Sequence, residues 1–354
     1  MKKEFLTLFC GLLASQAVLS QTNAVLDRQH ADVRIVYAPS AEEKLSVVVR
    51  NIDTQVAYQS NAVLLIVSES AKYEPLPAGT PFGNEGDPLW ILPQSQDPQL
   101  LYLGVSTEGM SSGTFSGNIV NLELTGLKAP GHFVVWQTVG FGDFEVKMNS
   151  RDGITSADNY AASAGGHAHF NWGFSTNGVY CVTFQASGVL QGQSTNTASL
   201  PSTFQFNVLP LRPFETWQSN HWAFGTPDSV INPNADPDDD GISNAMEYAL
   251  GLNPVSADTN GLPKAVIVNS GGTDYGALQF TRRKNASDVN YEVLAASSVT
   301  GPWSAVNHLV STTDNGTTET VVIRDSVAVA GTAQRFLRLQ VQLVGPPNYG
   351  CGCF

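Results

Sequence analysis

The feature that most constrains this chain is a repeated one. Short runs of alternating apolar and polar residues recur, each closed by a cluster of turn formers. Between about residues 23 and 208 the runs are "DVRIVYA", "KLSVVVRN", "AVLLIVSE", "IVNLELTGL", "HFVVWQTV", "VYCVTFQASG" and "TFQFNV". A period of two turns one face of an extended strand into a core and the other toward water. The β-branched and aromatic residues that fill the runs suit such strands. Clusters such as "PAGTPFGNEGDP" and "STNG" separate them. Only 97–109, "DPQLLYLGVSTEG", carries a hint of helical period. The pattern predicts an all-β fold, with one β-sandwich over residues 21–208.

The pattern breaks over 209–262. "LRPFETWQSNHWAFGTPDS" reads as a short helix and a loop, and "AMEYALGLNP" as a second short helix ended by Gly251 and Pro254. Strand-like runs then resume: "KAVIVNS", "YGALQFTRR", "VNYEVLAAS", "TETVVIRDS" and "RFLRLQVQL". They predict a second, smaller sandwich of immunoglobulin or fibronectin-III type over 263–344, with a hairpin turn at "DNGT". A cysteine-containing tail, 345–354, follows. The expected architecture is two β-sandwiches joined by a short helical linker.

The first twenty residues, "MKKEFLTLFCGLLASQAVLS", set two lysines before an apolar run that ends in small residues. That is the layout of a secretory signal peptide over 1–20. The run is too short for a spanning helix. The expected product is exported, extracellular or held at the cell surface, with no transmembrane segment after processing. The whole chain carries a net charge of −13; removing two lysines and one glutamate with the leader makes it −14. An acidic surface repels phosphate backbones, which argues against nucleic acid as a partner. Three cysteines lie beyond the leader: Cys181, Cys351 and Cys353. Cys181 reads as a small core residue in a strand. A bridge between Cys351 and Cys353 would be strained at that spacing. Pairing between chains and modification stay open for the tail.

The strongest motif is "DPDDDGISNAME", residues 236–247. Set against an EF-hand loop, Asp236, Asp238 and Asp240 fall on ligand positions 1, 3 and 5, and Gly241 on the turn position. Ile242 would ligate through its carbonyl, Asn244 holds position 9, and Glu247 closes the loop at position 12. Calcium takes six to eight hard oxygens, and a tight loop presents alternate side chains inward. No long helix leads into the loop. It therefore resembles the half-motifs of dockerins and thrombospondin type-3 repeats, which implies a structural calcium site in the linker.

A second constellation is "GGHAHFNWGF", residues 165–174. Residues two apart on a strand face the same side, so His167 and His169 can offer two imidazoles to one transition metal. His30 supplies a third nitrogen, and His132 or a carboxylate a fourth donor. Zinc or another transition metal would suit such a set. The bland reading is a hydrogen-bonded corner that orders the sandwich edge.

No G-x-S-x-G elbow, H-E-x-x-H, P-loop or G-x-G-x-x-G after a strand is present. The chain therefore reads as non-enzymatic. Two alternatives accompany that reading: a metal-capture protein working with a metal-uptake system, and a carbohydrate-binding or carbohydrate-active accessory protein. The last would need Trp90, Trp136 and Trp172 on the surface to stack on sugar rings; core packing is the competing use of those residues. The expected partner is a cell-surface or extracellular-matrix component, with polysaccharide among the candidates.

"QHADVRIVY", "LYLGVSTEGMSSGTF", "GHFVVWQTVGFGDFEVKMNSRDGI" and "GGHAHFNWGFSTNGVYCVTFQASG" together resemble the choice-of-anchor M domain, the actinobacterial surface-anchored protein domain. The likeness covers most of residues 24–208, and the H-x-H-x-N-W-G-F stretch is its most specific part. It implies an exported, surface-attached protein. Some members resemble gene neighbours of metal-type ABC transporters, which implies a metal. The family's G-H-x-D start corresponds to "QHAD" here, so His30 and Asp32 match while the glycine does not. The family's anchoring segment is replaced by "CGCF". The C-terminal half, with "LQFTRR", "YEVLAASS" and "RFLRLQV" after the calcium loop, resembles exported proteins of Verrucomicrobia and Planctomycetes. That likeness implies a bacterial structural module.

Overall fold

In a computed structural model, the residues described are 24–140, 142–223, 226–257, 261–284, 286–331, 334–344 and 353. Strands dominate, and among the described residues three short α-helices occur, all in the linker. The fold is all-β, as the alternation predicts.

In the first unit a seven-stranded sheet runs in the order Ala24–Leu26, Val63–Val67, Ser202–Val208, Gly178–Val189, Ile119–Lys128, Asn159–Ser163, with Asn196–Ala198 beside Gly178–Val189. Two five-stranded sheets oppose it. One runs Asp143–Asn149, Phe133–Val139, Asn171–Phe174, Leu89–Leu92, Lys72–Tyr73. The other runs His167–His169, Tyr102–Ser106, His30–Tyr37, Leu45–Asn51, Ala57–Tyr58. All three place one face in a single core. Val33 and Val105 come from the last sheet, Phe133 and Trp172 from the middle one, and Phe184 and Phe206 from the seven-stranded one.

The hint of helix at 97–109 is overturned. Tyr102–Ser106 is a strand, parallel to His30–Tyr37 on one side and antiparallel to His167–His169 on the other. Pairing on both edges satisfies its backbone, so tertiary context overrides a weak local period. The chain changes sheets at Phe170, between His167–His169 and Asn171–Phe174. Trp172 fastens the two sheets: its Nε1–H donates to the Leu103 carbonyl at 2.9 Å in the buried interior.

The second unit is a four-stranded sheet, Lys264–Ser270, Thr273–Arg283, Thr318–Ala328, His308–Asp314, over a three-stranded one, Ser304–Val306, Val289–Ala296, Phe336–Leu343. Their shared core holds Leu278, Phe280, Val293, Ala295, Val306 and Val321. The "DNGT" turn joins His308–Asp314 to Thr318–Ala328, with Gly316 at φ +91°, a conformation other residues rarely adopt.

Three helices form the linker: α1 (Pro213–His221), α2 (Asp228–Ile231) and α3 (Asn244–Leu250). Pro213 suits the first position of α1, where no amide partner is needed. Gly251 ends α3 in the left-handed region, as the sequence predicts. The short helix α2 falls where a loop is expected. Phe214, Trp217 and Tyr248 pack α1 on α3. Buried Asp288 of the second unit accepts from the Phe214 amide and the Tyr248 hydroxyl, each at 2.8 Å. Toward the first unit, Glu215 Oε1 accepts from Val179 N at 3.3 Å, and Lys128 pairs with Asp228 at 3.1 Å. The linker is thus a packed platform touching both units.

Candidate metal centres

The imidazoles of "HAH" meet the start of the chain through one intervening strand. In register, Gly104 faces His169 on one side and Asp32 on the other, while Tyr102 faces His30 and Ser106 faces His167. Alternation keeps Ala31, Val33, Leu103 and Val105 in the core, so His30, Asp32, His167 and His169 share the opposite face. One donor atom from each of the four lies within 4.8 Å of the others. His30 Nε2 is 3.2 Å from His169 Nε2, His167 Nε2 is 3.0 Å from Asp32 Oδ1, and His30 Nε2 is 3.9 Å from that oxygen.

Gly104 leaves the room. A Cβ there would lie 2.5 Å from Asp32 Oδ1 and 3.0 Å from both His169 Cε1 and the Ala168 carbonyl oxygen. Tyr102 stacks flat on His169, with ring centroids 3.7 Å apart. On the far side of the His167 ring, Glu108 Oε1 stands 3.8 Å from Nδ1.

Burial and mutual charge set the electrostatics of the cluster. Asp32 is 0 % exposed, and neither of its oxygens accepts a hydrogen bond of good geometry, despite the nearness of His167. Burial raises its pKa, opposed by the charges of His167 and His30. Burial, and then repulsion by His167 and His30, pushes the His169 pKa down to about 4. His169 is therefore neutral at pH 7, with a lone pair for a metal. A buried carboxylate without hydrogen bonds is costly unless a cation compensates it.

The structure brings together His30, His167 and His169, and of the two fourth donors expected it supplies the carboxylate and not His132. His132 is elsewhere: it is exposed, its amide donates to Ser175 Oγ at 2.7 Å, and it lines a separate cleft with Asn84 and Arg151. Asp32 takes its place. The sequence signal for Asp32 was its period-two spacing from His30; Gly104 gave none.

In the linker, Asp236, Asp238 and Asp240 each present a carboxylate oxygen within 4.8 Å of the others. Asp236 organises the loop by accepting from the amides of Asp240 at 3.2 Å and Gly241 at 2.8 Å. Gly241, at φ +85°, makes the sharp turn, and Asp239 also takes a positive φ of 59°. Glu247 is 0 % exposed with both oxygens unpartnered. Burial and then Asp238, Asp240 and Asp236 raise its pKa to about 7. Asn244 is buried; its amide group donates to the carbonyls of Val230 and Asn232, each at 2.8 Å, leaving Oδ1 without a partner. Ile242 is buried at the turn, and its amide donates to Asp240 Oδ1 at 2.9 Å. Glu247 stands outside the 4.8 Å group of three aspartates but close enough to feel their charge, and an all-oxygen set of this kind fits a hard divalent cation.

Two further expectations change. Cys181 is not a lone core thiol: it is bonded to Cys353, with Cα atoms 5.2 Å apart. Tyr180 and Val182 point into the core, so Cys181 lies on the outer face of its strand. Cys351 lies outside the described residues. Trp90, Trp136 and Trp172 are all buried, and Phe82 covers Trp136 at 4.2 Å between ring centroids. They serve packing and form no platform for sugar rings.

No family model matches the chain, and no curated protein matches it.

Proposed function

We propose that this chain is an exported bacterial surface or extracellular protein, non-enzymatic, that binds a transition-metal ion on its first sandwich and calcium in its linker. The observation that carries the reading is Asp32: a fully buried carboxylate whose nearest polar neighbours are three converging imidazoles, His167 Nε2 at 3.0 Å among them. Four donors drawn from two strands, reaching across a glycine, are hard to explain by packing alone. Nitrogen donors favour zinc, copper, iron or nickel over calcium and magnesium. The linker offers the opposite chemistry, oxygens only, and suits calcium.

Export is supported by the leader-like first twenty residues and by the Cys181–Cys353 disulfide, which suits an oxidising compartment. The likeness of residues 24–208 to the choice-of-anchor M domain points the same way. Among the described residues, no helix is long and apolar enough to cross a membrane. Metal capture for an uptake system is a narrower version of the same reading. It is favoured by the partly exposed side chains of His30 and His167, which leave the ion a path from solvent.

The test is elemental analysis of the purified, processed protein beside a His167→Ala/His169→Ala variant. We expect one transition-metal equivalent and one calcium, with only the former lost in the variant. Calcium alone, with no uptake of zinc, copper, iron or nickel on loading, would overturn the first centre.

A further inference from the structure

We infer that the four-donor centre is closed: His30, His167, His169 and Asp32 supply every bond to a four-coordinate ion of the zinc(II) class, seated in the space that Gly104 leaves. The inference rests on the metal-binding reading above and narrows it to a holding site rather than a hydrolytic one.

Around a tetrahedral zinc, bonds of about 2.0–2.1 Å set neighbouring donors roughly 3.3 Å apart. Three of the six donor separations, 3.0, 3.2 and 3.9 Å, bracket that figure, and all six lie within 4.8 Å. The donors therefore need little movement to close on an ion. Catalytic zinc sites keep three protein ligands and leave one position for water; structural sites use four. Here the fourth donor is the most buried of the set. A closed first shell leaves no position at which a substrate oxygen could be activated.

Sheet geometry explains why the position needs glycine. Adjacent strands stand about 4.8 Å apart, so Asp32 and His169, one strand to either side of Gly104, have backbones roughly 10 Å apart. Their side chains close that gap above Gly104. Its extended backbone does not demand glycine, so the reason for glycine is space: a Cβ would lie 2.5 Å from the Asp32 Oδ1 donor and 3.0 Å from the His169 ring carbon Cε1. Glu108 acts one shell out. It stands 3.8 Å from the His167 nitrogen opposite the one aimed at Asp32, beyond hydrogen-bond length, and takes no part in the first shell. Tyr102 clamps His169 from the side by stacking.

Cobalt(II), which mirrors zinc and reports coordination number by its visible spectrum, is the probe. The purified full-length processed protein is stripped of transition metal, kept in calcium, and titrated with cobalt(II). An intense visible band at one equivalent, bleached by one equivalent of zinc, is the expected result. A weak band of a five- or six-coordinate ion would overturn closure while leaving metal binding intact. No spectral change and no zinc uptake would overturn the metal-binding reading itself. Gly104→Ala should keep the wild-type circular dichroism and lose the band; a full band in that variant would overturn the role of Gly104. Should Gly104→Ala fail to fold, Asp32→Asn replaces it. That change should lose the intense four-coordinate band, and an unchanged band at one equivalent would remove Asp32 from the set and overturn closure.

Discussion

Asp32 is a residue whose burial runs against the stability of the fold around it. It sits on a core-forming strand with no exposed surface and no well-formed hydrogen bond. Burial of a carboxylate raises its pKa, and only the neighbouring imidazoles oppose that. Such a group is tolerated where a cation completes it. Two outcomes follow for Asp32→Asn. Without transition metal, the variant should melt at or above the wild-type temperature, because a buried charge has gone. With zinc, the wild type should gain about 2.7 kcal/mol at a free concentration one hundred times its Kd, and the variant should gain much less. Thermal melts with and without zinc read both. A variant that melts well below the metal-free wild type would mean that Asp32 stabilises the fold by itself. His167 and His169 were legible because they share one strand, and period two needs no tertiary knowledge. Choosing Asp32 over His132 as their partner required the order of strands in a sheet, which depends on contacts between residues far apart in sequence.

At the scale of elements, the acidic loop 236–247 was the most legible part of the chain. Its ligand spacing is local, and the backbone follows it, from the turn at Gly241 to the start of α3 at Asn244. The strand Tyr102–Ser106 was the least legible, since its conformation is set by two neighbours that lie far from it in sequence. The loop also passes its state to what surrounds it. Glu247 precedes Tyr248, which packs on Phe214 and Trp217 and donates to Asp288. A calcium ion in this loop would offset the charge of Glu247, buried near three aspartates, so its removal should loosen α3. Chelation should therefore raise protease cutting within 209–262 while both sandwiches persist as resistant fragments. Glu247→Gln should weaken calcium binding by at least about ten-fold, or ~1.4 kcal/mol, through loss of a charged ligand, and should show the same cutting even with calcium present. Identical cleavage with and without chelator would count against a structural calcium site.

On the scale of the whole molecule, the linker and the disulfide act on one face and the histidine centre on another. Cys181, Val179 and Lys128 all belong to the seven-stranded sheet, and each is tied to later sequence: Cys353, Glu215 and Asp228 respectively. Lys128 and Cys181 are themselves register partners on neighbouring strands. The histidines lie on the outer face of a sheet in the opposite layer, with the common core between. The disulfide was not legible because its partners stand 172 residues apart. In the chain-entropy view a loop that long contributes up to about 5 kcal/mol. Much less is expected here, because the enclosed second sandwich has a core of its own and would order part of that loop before the bond forms. Cys353→Ser should therefore leave both sandwiches folded. It should speed amide hydrogen exchange in α1 and along Gly178–Val189 near Cys181, where the tail is fastened. It should not change zinc stoichiometry or affinity, since no ligand strand touches that face. Hydrogen exchange and a zinc titration on the same preparation decide the matter. Faster exchange with unaltered zinc binding means two independent devices on one scaffold. A parallel loss of zinc would mean that the two layers of the first sandwich are coupled through their shared core.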